Sequence, residues 1–266
     1  MKIIVCIKQV PGTTQVDIDA ETGVLKRDGV EAKINPYDLY ALETALRLKA
    51  DYPGASVTAI TMGPPQAMQS LREALMMGVD DVVLVSDRRF AGADVLATAH
   101  TLSQAMMLMD DWGTGLIVCG QQTTDGDTAQ VGPEIAEFLG IPHAANVTAI
   151  QEFSAEALVA KVDLPTTEEI IRIPLPCLVC VNKDIYTPRL PSYTLKKASR
   201  DRKIRTVTLD DLPDSDPAHY GLNGSPTQVV WVFPPEHHVE HERWKGSTEE
   251  LAAQLYDYLR SEKFLA

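Results

Sequence analysis

The sequence is poor in what several protein classes require. Four cysteines in 266 residues are too few for the disulfide framework of a small secreted domain. Basic residues are outnumbered, 24 Lys and Arg against 37 Asp and Glu, for a formal charge of −13. That balance excludes a general nucleic-acid or anionic-membrane binder, because phosphate surfaces repel such a chain. No apolar run approaches the roughly 20 residues that span a bilayer. There is no GxxxxGK[ST] loop, no strand-linked GxGxxG, no nucleophile elbow, and no obvious Ser/His/Asp or Cys/His set. The start, Met1-Lys2-Ile3-Ile4-Val5-Cys6, leads straight into a strand-like run without a small-residue cleavage site. It predicts no signal peptide and a cytoplasmic protein. What remains is a chain with 45% hydrophobic residues, enough for one large domain or two small ones.

The first half alternates short apolar runs with helical patterns. Ile3–Ile7, Ser56–Met62, Asp81–Val85 and Gly115–Cys119 read as strands buried on both faces, which points to a parallel sheet. Between them Pro36–Ala50, Pro65–Met77 and Ala93–Met109 read as helices, and a fourth spans about Thr128–Leu139, ending at Gly140. This is the βαβ pattern of an α/β fold. After residue 145 the pattern changes. Val147–Ile150, Ala157–Val162, Glu169–Pro174 and Cys177–Val181 read as strands without full helices between them, an antiparallel extension of the same sheet. Residues 206–245 are irregular, and Thr248–Ser261 closes the chain as an amphipathic helix.

The strongest local signal is Gly120-Gln121-Gln122-Thr123-Thr124-Asp125-Gly126-Asp127-Thr128-Ala129-Gln130-Val131-Gly132-Pro133. It follows an apolar strand and precedes a helix, where α/β sheets bind ligands. Its hydroxyls, amides and backbone N–H groups suit a phosphate or pyrophosphate. Two aspartates would repel phosphate unless they cap the helix or bind hydroxyls. The ordinary reading is a βα loop with Asp127 or Thr128 as helix cap. An EF-hand is ruled out, because Ala129, Gln130 and Ala136 stand where that loop needs a ligand, a turn glycine and a bidentate Glu.

Cys177-Leu178-Val179-Cys180 is a CxxC inside an apolar run. Residues three apart on a strand face opposite sides, so the pair reads as two buried structural thiols, and Cys6 and Cys119 read as isolated. His237-His238-Val239-Glu240-His241 lacks the HExxH order and reads as a solvated turn. Lys183–Arg205 holds eight basic residues against two acidic ones, a positive island in an acidic chain. With Tyr186-Thr187-Pro188-Arg189-Leu190-Pro191-Ser192-Tyr193 inside it, the island reads as a solvated arm or as a partner-docking surface.

Several stretches together carry a resemblance: Val5-Cys6-Ile7-Lys8-Gln9-Val10-Pro11, Asn35-Pro36-Tyr37-Asp38, Met62-Gly63-Pro64, the 120–133 loop, and Pro188-Arg189 before a Lys-rich run. Over nearly its whole length the chain resembles the β subunits of electron transfer flavoproteins. The resemblance implies a Rossmann-like parallel sheet with helices on both faces, an antiparallel extension and a C-terminal arm. It implies a nucleotide-binding domain over residues 1–204, with a docking loop at about 183–200. Residues 205–266 would wrap an α subunit that carries an FAD.

The family has two kinds. One holds AMP in the β subunit and relays electrons. The other holds a second FAD there, oxidises NADH, and splits the electron pair between ferredoxin or flavodoxin and, through the α-subunit FAD, an acyl-CoA or similar dehydrogenase. Asp87-Arg88-Arg89-Phe90-Ala91-Gly92-Ala93-Asp94-Val95-Leu96-Ala97-Thr98 is similar to the motif of the second, bifurcating kind, and the likeness extends to subunits serving acyl-CoA reductases in anaerobes. The resemblance places the nucleotide against Cys6, Asn35, Asp38, Met62, Gly63 and the loop from Gly120 to Pro133. It places the flavin ring near Phe90, Gly92, Ala93, Asp94 and Thr98, and docking at Arg189, Leu190, Pro191, Tyr193 and Leu195. This sequence departs there from the usual Leu-Pro-Asn-Ile-Met-Lys-Ala pattern, so Leu190, Tyr193 or Leu195 could be the anchor. No metal and no acid or base side chain is implied. A stand-alone nucleotide-binding signalling module of similar fold is the competing class, and the basic loop and long tail speak against it.

Overall fold

A computed structural model describes residues 1–12, 32–109, 112–230 and 241–265. The chain forms two compact units, Met1–Val230 and Trp231–Ala266. In the first, β1 (Lys2–Cys6) is an inner strand of a nine-stranded sheet. A two-stranded ribbon of β2 (Gln9–Pro11) and β3 (Ala32–Ile34) follows it, unannounced by any alternating pattern in the sequence. Then come α1 (Pro36–Asp51), β4 (Ser56–Met62), α2 (Met68–Met77), β5 (Asp81–Val85), α3 (Val95–Met106), β6 (Leu116–Gly120) and α4 (Val131–Leu139). β7 (His143–Phe153), β8 (Ala157–Asp163), β9 (Glu168–Pro174), β10 (Cys177–Val181), α5 (Tyr193–Ala198) and β11 (Arg205–Val207) complete the unit. The sheet order is β11-β5-β4-β1-β6-β10-β7-β8-β9.

The helix punctuation follows local chemistry. Pro36 sits in the first turn of α1, where its missing N–H costs nothing. Gly78 and Gly140 end α2 and α4 with φ of 120° and 63°, conformations open to glycine. Strand residues alternate between two cores. Ile3 and Val5 pack with α1 and α2 on one face, while Ile4 packs with α3 and α4 on the other. The parallel strands are therefore covered on both sides, which is why they read as continuous apolar runs.

Three expectations are corrected. Cys177–Val181 is not part of an antiparallel extension. β10 inserts parallel between β6 and β7, and only β7, β8 and β9 pair antiparallel to one another. All five β10 residues are buried, and an apolar run carries no record of strand direction. Second, α4 begins at Val131 with Gln130 as its cap residue, not near Thr128 with Asp127 or Thr128 as cap. Asp127 and Ala129 adopt φ of 51° and 55°, left-handed backbone that no α-helix can incorporate. Third, the compact unit runs past residue 204. β11 pairs with β5, and Leu209, Leu212 and Tyr220 are buried with the α3 and α4 face.

The described part of the second unit is α6 (Thr248–Ser261), opened by a capping box between Ser247 and Glu250. Leu255, Tyr256 and Tyr258 are exposed on it. No helix among the described residues is long and apolar enough to cross a membrane.

Candidate functional site

In this sheet the chain winds outward from β1 through β4 to β5, then crosses to β6 on the other side of β1. The carboxyl ends of β1 and β6 thus flank the point where the winding direction reverses, the crevice where open α/β sheets hold ligands. Cys6 ends β1, Met62 ends β4 with Gly63 following, and Gly120 ends β6. The sheet therefore brings together residues separated by more than a hundred positions in the chain.

Asn35 and Asp38, in and just before the first turn of α1, form the floor. Asn35 is fully buried. Its side-chain amide donates to the Gln122 carbonyl at 2.9 Å, and its oxygen accepts from the Thr124 N–H at 3.2 Å. One side chain thus clamps the loop 122–124 onto the helix start. Asn35→Ala removes both bonds and leaves a buried backbone carbonyl unpaired, so it is expected to cost about 2 kcal/mol in chemical denaturation. A change below a few tenths would show that the loop holds itself. Asp38 is buried and accepts from the Lys8 N–H at 2.7 Å. Burial pushes its carboxyl up to about 7, against the Asn35 side chain and the Lys8 amide, which pull it down.

Above this floor the loop 124–130 is exposed. Among the described residues no acceptor is found for the amides of Gly126, Thr128, Ala129 and Gln130. These free donors lie directly before the N-terminus of α4, where backbone N–H groups and the helix dipole attract anions. The two aspartates do not oppose this. Lys8 Nζ is 2.8 Å from Asp125, and the Gln122 side chain donates to Asp127 at 3.0 Å. Burial raises the Asp125 carboxyl, but the Lys8 contact outweighs it and holds the group below its ordinary value. Close approach of backbones seats the loop. A β-carbon at Gly120 would stand 2.5 Å from Asp38 Oδ1 and 2.7 Å from the Tyr37 carbonyl carbon. One at Gly132 would stand 2.4 Å from Cys180 Sγ, so α4 packs on β10 only through a glycine. Val131 and Pro133 complete this turn.

The cysteines depart from expectation in one respect. Cys177 and Cys180 face opposite cores, as their spacing requires. Cys6 and Cys119 are not isolated, however. Cys119 on β6 is the register partner of Cys180 on β10, and β1, which ends at Cys6, pairs on the other side of β6. The contact with Cys180 lowers the Cys119 thiol, but Cys6 and burial together hold it well above the ordinary range. Cys119 and Cys180, buried and raised, are unreactive thiols.

The 87–98 segment is tied inward more tightly than its sequence suggests. The Phe90 ring is 4% exposed and packs on Tyr220 at 5.5 Å, so its side chain is part of the core. Arg89 pairs with Asp87 at 2.6 Å and Asp210 at 2.9 Å, and its hydrogen bond holds the Asp87 carboxyl far below the usual range. Gly92 has φ of 76° and is exposed, and Ala93 is half-buried. Asp94 caps α3 by accepting from the Ala97 N–H at 3.0 Å. Its other oxygen accepts from the Thr227 N–H at 3.0 Å and hydroxyl at 2.7 Å, and its own N–H donates to Ser225 at 2.8 Å. Thr98 is half-buried one turn on. Ser225 and Thr227 were not legible as site residues, since nothing in the irregular 206–245 stretch announces that it folds back over α3. Glu134, in the first turn of α4, was missed as well. One of its carboxylate oxygens is buried without a partner among the described residues, and burial and the nearby Asp94 charge raise its carboxyl.

Of the docking residues, Arg189 is spent internally. Its guanidinium and backbone N–H all bond the buried Glu43, the shortest contact being 2.7 Å. Pro191 is exposed, and the Ser192 N–H donates to the Met76 carbonyl at 2.8 Å. Leu195 lies beside Gly78, whereas Leu190 and Tyr193 are 87% and 80% exposed. His241 is exposed, and residues 237–240 of the histidine-rich stretch lie outside the described residues.

The electron transfer flavoprotein domain matches residues 22–212 of the chain. The chain is 42% identical over 265 residues to the electron transfer flavoprotein subunit beta of Clostridium acetobutylicum, covering 100% of both chains. It is 40% identical over 266 residues to the caffeyl-CoA reductase-Etf complex subunit CarD of Acetobacterium woodii, again covering 100% of both. Against the protein FixA of Bradyrhizobium diazoefficiens it is 39% identical over 261 residues, 97% of this chain and 90% of the other. With a switch-point crevice, an anion-ready loop and full-length likeness in agreement, this chain belongs to the electron transfer flavoprotein β-subunit family.

Proposed function

We propose that this chain is the β subunit of a heterodimeric electron transfer flavoprotein of the bifurcating kind. In this reading it binds FAD, takes electrons from NADH, and divides them between two acceptors. These are ferredoxin or flavodoxin and, through the FAD of an α subunit, a partner acyl-CoA dehydrogenase or reductase. The observation that carries the reading is the exposed set of amides at Gly126, Thr128, Ala129 and Gln130, without acceptors among the described residues and seated by Asn35 at the reversal point of the sheet. When bound, the flavin supplies the hydride and single-electron chemistry.

The chain's own residues bind and position. The amides of Gly126, Thr128, Ala129 and Gln130 would hold the phosphates. Cys6, Met62 and Gly63 would line the nucleotide at the strand ends. Gly92 and Ala93 lack bulk where a ring system would approach the backbone, and Thr98 offers a hydroxyl nearby. The unpartnered Glu134 oxygen beside Asp94 suits a hydroxyl donor of the ligand. Exposed Leu190 and Tyr193 would anchor the dehydrogenase. The arm beyond Val230, carrying α6 with Leu255, Tyr256 and Tyr258, would cover the α subunit. The name of the Acetobacterium woodii relative supports an acyl-CoA partner.

One observation favours AMP in place of FAD. Both Asp94 oxygens and the Phe90 ring are already engaged within the chain. The test is to co-express the chain with its α subunit, denature the complex and quantify the nucleotides released. Two FAD and no AMP per heterodimer is the expected result, and Ala93→Phe should then lower the count to one FAD. One FAD and one AMP would reduce this chain to a relay and docking subunit. A nucleotide-bound homodimer would instead favour the signalling class.

A further inference from the structure

Beside α3 and α4 the segment after β11 folds back and brings two imidazoles to one carboxylate. His219 Nδ1 lies 2.7 Å and His100 Nε2 lies 3.2 Å from the same oxygen of Asp214, Oδ2. One ligand atom from each of the three residues lies within 4.8 Å of the others. The carboxylate is held from several directions. The Asp214 N–H donates to Gln104 on α3 at 3.0 Å, its second oxygen accepts from the Asp216 N–H at 3.0 Å, and the Tyr220 hydroxyl donates to its carbonyl. The His100 ring is itself braced against Phe138 and Tyr220, each with centroids 5.1 Å away.

We propose that His100, Asp214 and His219 form a binding site for a divalent transition cation of the zinc class. Two neutral imidazoles and one carboxylate are the donor set that borderline cations prefer; calcium and magnesium call for oxygen cages, and copper(I) for sulfur. Three ligands bonded at about 2.0–2.2 Å to one cation lie roughly 3.3 Å apart when tetrahedral. The present separations need only small side-chain rotations to reach that, with lone pairs replacing the N–H groups that now point at Oδ2. His219 is exposed and the cluster opens onto a cleft of about 640 Å³. The fourth position therefore faces solvent, as in sites that keep a water or bind an external group. The ligands come from α3 and from the returning segment, so an ion there would pin that segment to the helix.

Cobalt(II) is the probe, because its visible absorption reports ligand number and type. The full chain, co-purified with its α subunit and free of any affinity tag, is expected to bind one equivalent with intense tetrahedral bands and no sulfur charge-transfer band. His219→Ala, at an exposed position, should weaken binding at least tenfold, and His100→Gln should do the same. Replacing His237, His238 and His241 together with alanine should leave it unchanged. Zinc should raise the melting temperature of the parent protein and not that of His219→Ala. Lack of cobalt binding by the parent, undiminished binding by His219→Ala, loss on replacing the 237–241 histidines, or a thiolate spectrum would each overturn the assignment.

Discussion

Gly120→Ala is expected to lower the stability of the α/β unit by about 3 kcal/mol and to strip the complex of the nucleotide proposed for this subunit. The added methyl would stand 2.5 Å from Asp38 Oδ1, 2.7 Å from the Tyr37 carbonyl carbon and 2.9 Å from Tyr37 Cβ. All three belong to the first turn of α1, and the two Tyr37 atoms are fixed to its backbone, which cannot swing aside as the end of a flexible side chain would. The end of β6 and the start of α1 must separate, and overpacking of this kind costs a few kcal/mol. The Asn35 clamp spans that same gap, from α1 to Gln122 and Thr124, so separation also unseats the loop that presents its amides. In a protein of this size about 3 kcal/mol corresponds to a fall in Tm of roughly 10 °C. Calorimetry and nucleotide release read the two effects separately. A variant with unchanged Tm and full nucleotide content would show that the crevice does not depend on this contact.

The second large effect is a pH dependence, and its sign is opposite to that of most carboxylates. Asp38 is buried beneath the loop, and its carboxyl rises from 3.8 to about 7. Burial dominates because Lys8, the nearest cation, directs its ammonium to Asp125 and offers Asp38 only a backbone N–H. A carboxyl raised on folding favours the folded state while it remains protonated. That contribution is whole below about pH 4, declines as pH rises, and is lost once pH passes about 7. Its full size is on the order of 4 kcal/mol. The difference in unfolding free energy between the parent and Asp38→Asn should therefore shrink by that order between pH 4 and pH 8. A difference that stays flat across this window would mean that Asp38 is ionised throughout. A phosphate held above the loop would act in the same direction as burial, so nucleotide should shift the decline to higher pH.

The helices and the parallel strands were legible because their signals are local. Pro36, Gly78 and Gly140 punctuate helices through backbone properties of single residues, and runs such as Asp81–Val85 show burial on both faces directly. The likeness of the Asn35–Asp38 and 120–133 stretches to a known family was legible for the same reason, as short, contiguous patterns. Strand direction was not, and β10 illustrates why: a five-residue apolar run reads identically whichever way it enters a sheet.

Composition and patterning alone determined that this is an acidic α/β protein, and singled out the loop after the Gly115–Cys119 strand as its candidate ligand loop. The tertiary structure decided which residues serve that loop. It drew Phe90 into the core and committed Arg189 to Glu43. It lined up Cys6, Cys119 and Cys180 on neighbouring strands, and brought Ser225 and Thr227 to Asp94, and Asp214 to His100, across more than a hundred residues. Such pairings arise from burial and hydrogen-bond satisfaction between segments distant in the chain. A side chain with a given polarity can meet that demand in many places, and only the folded backbone selects one.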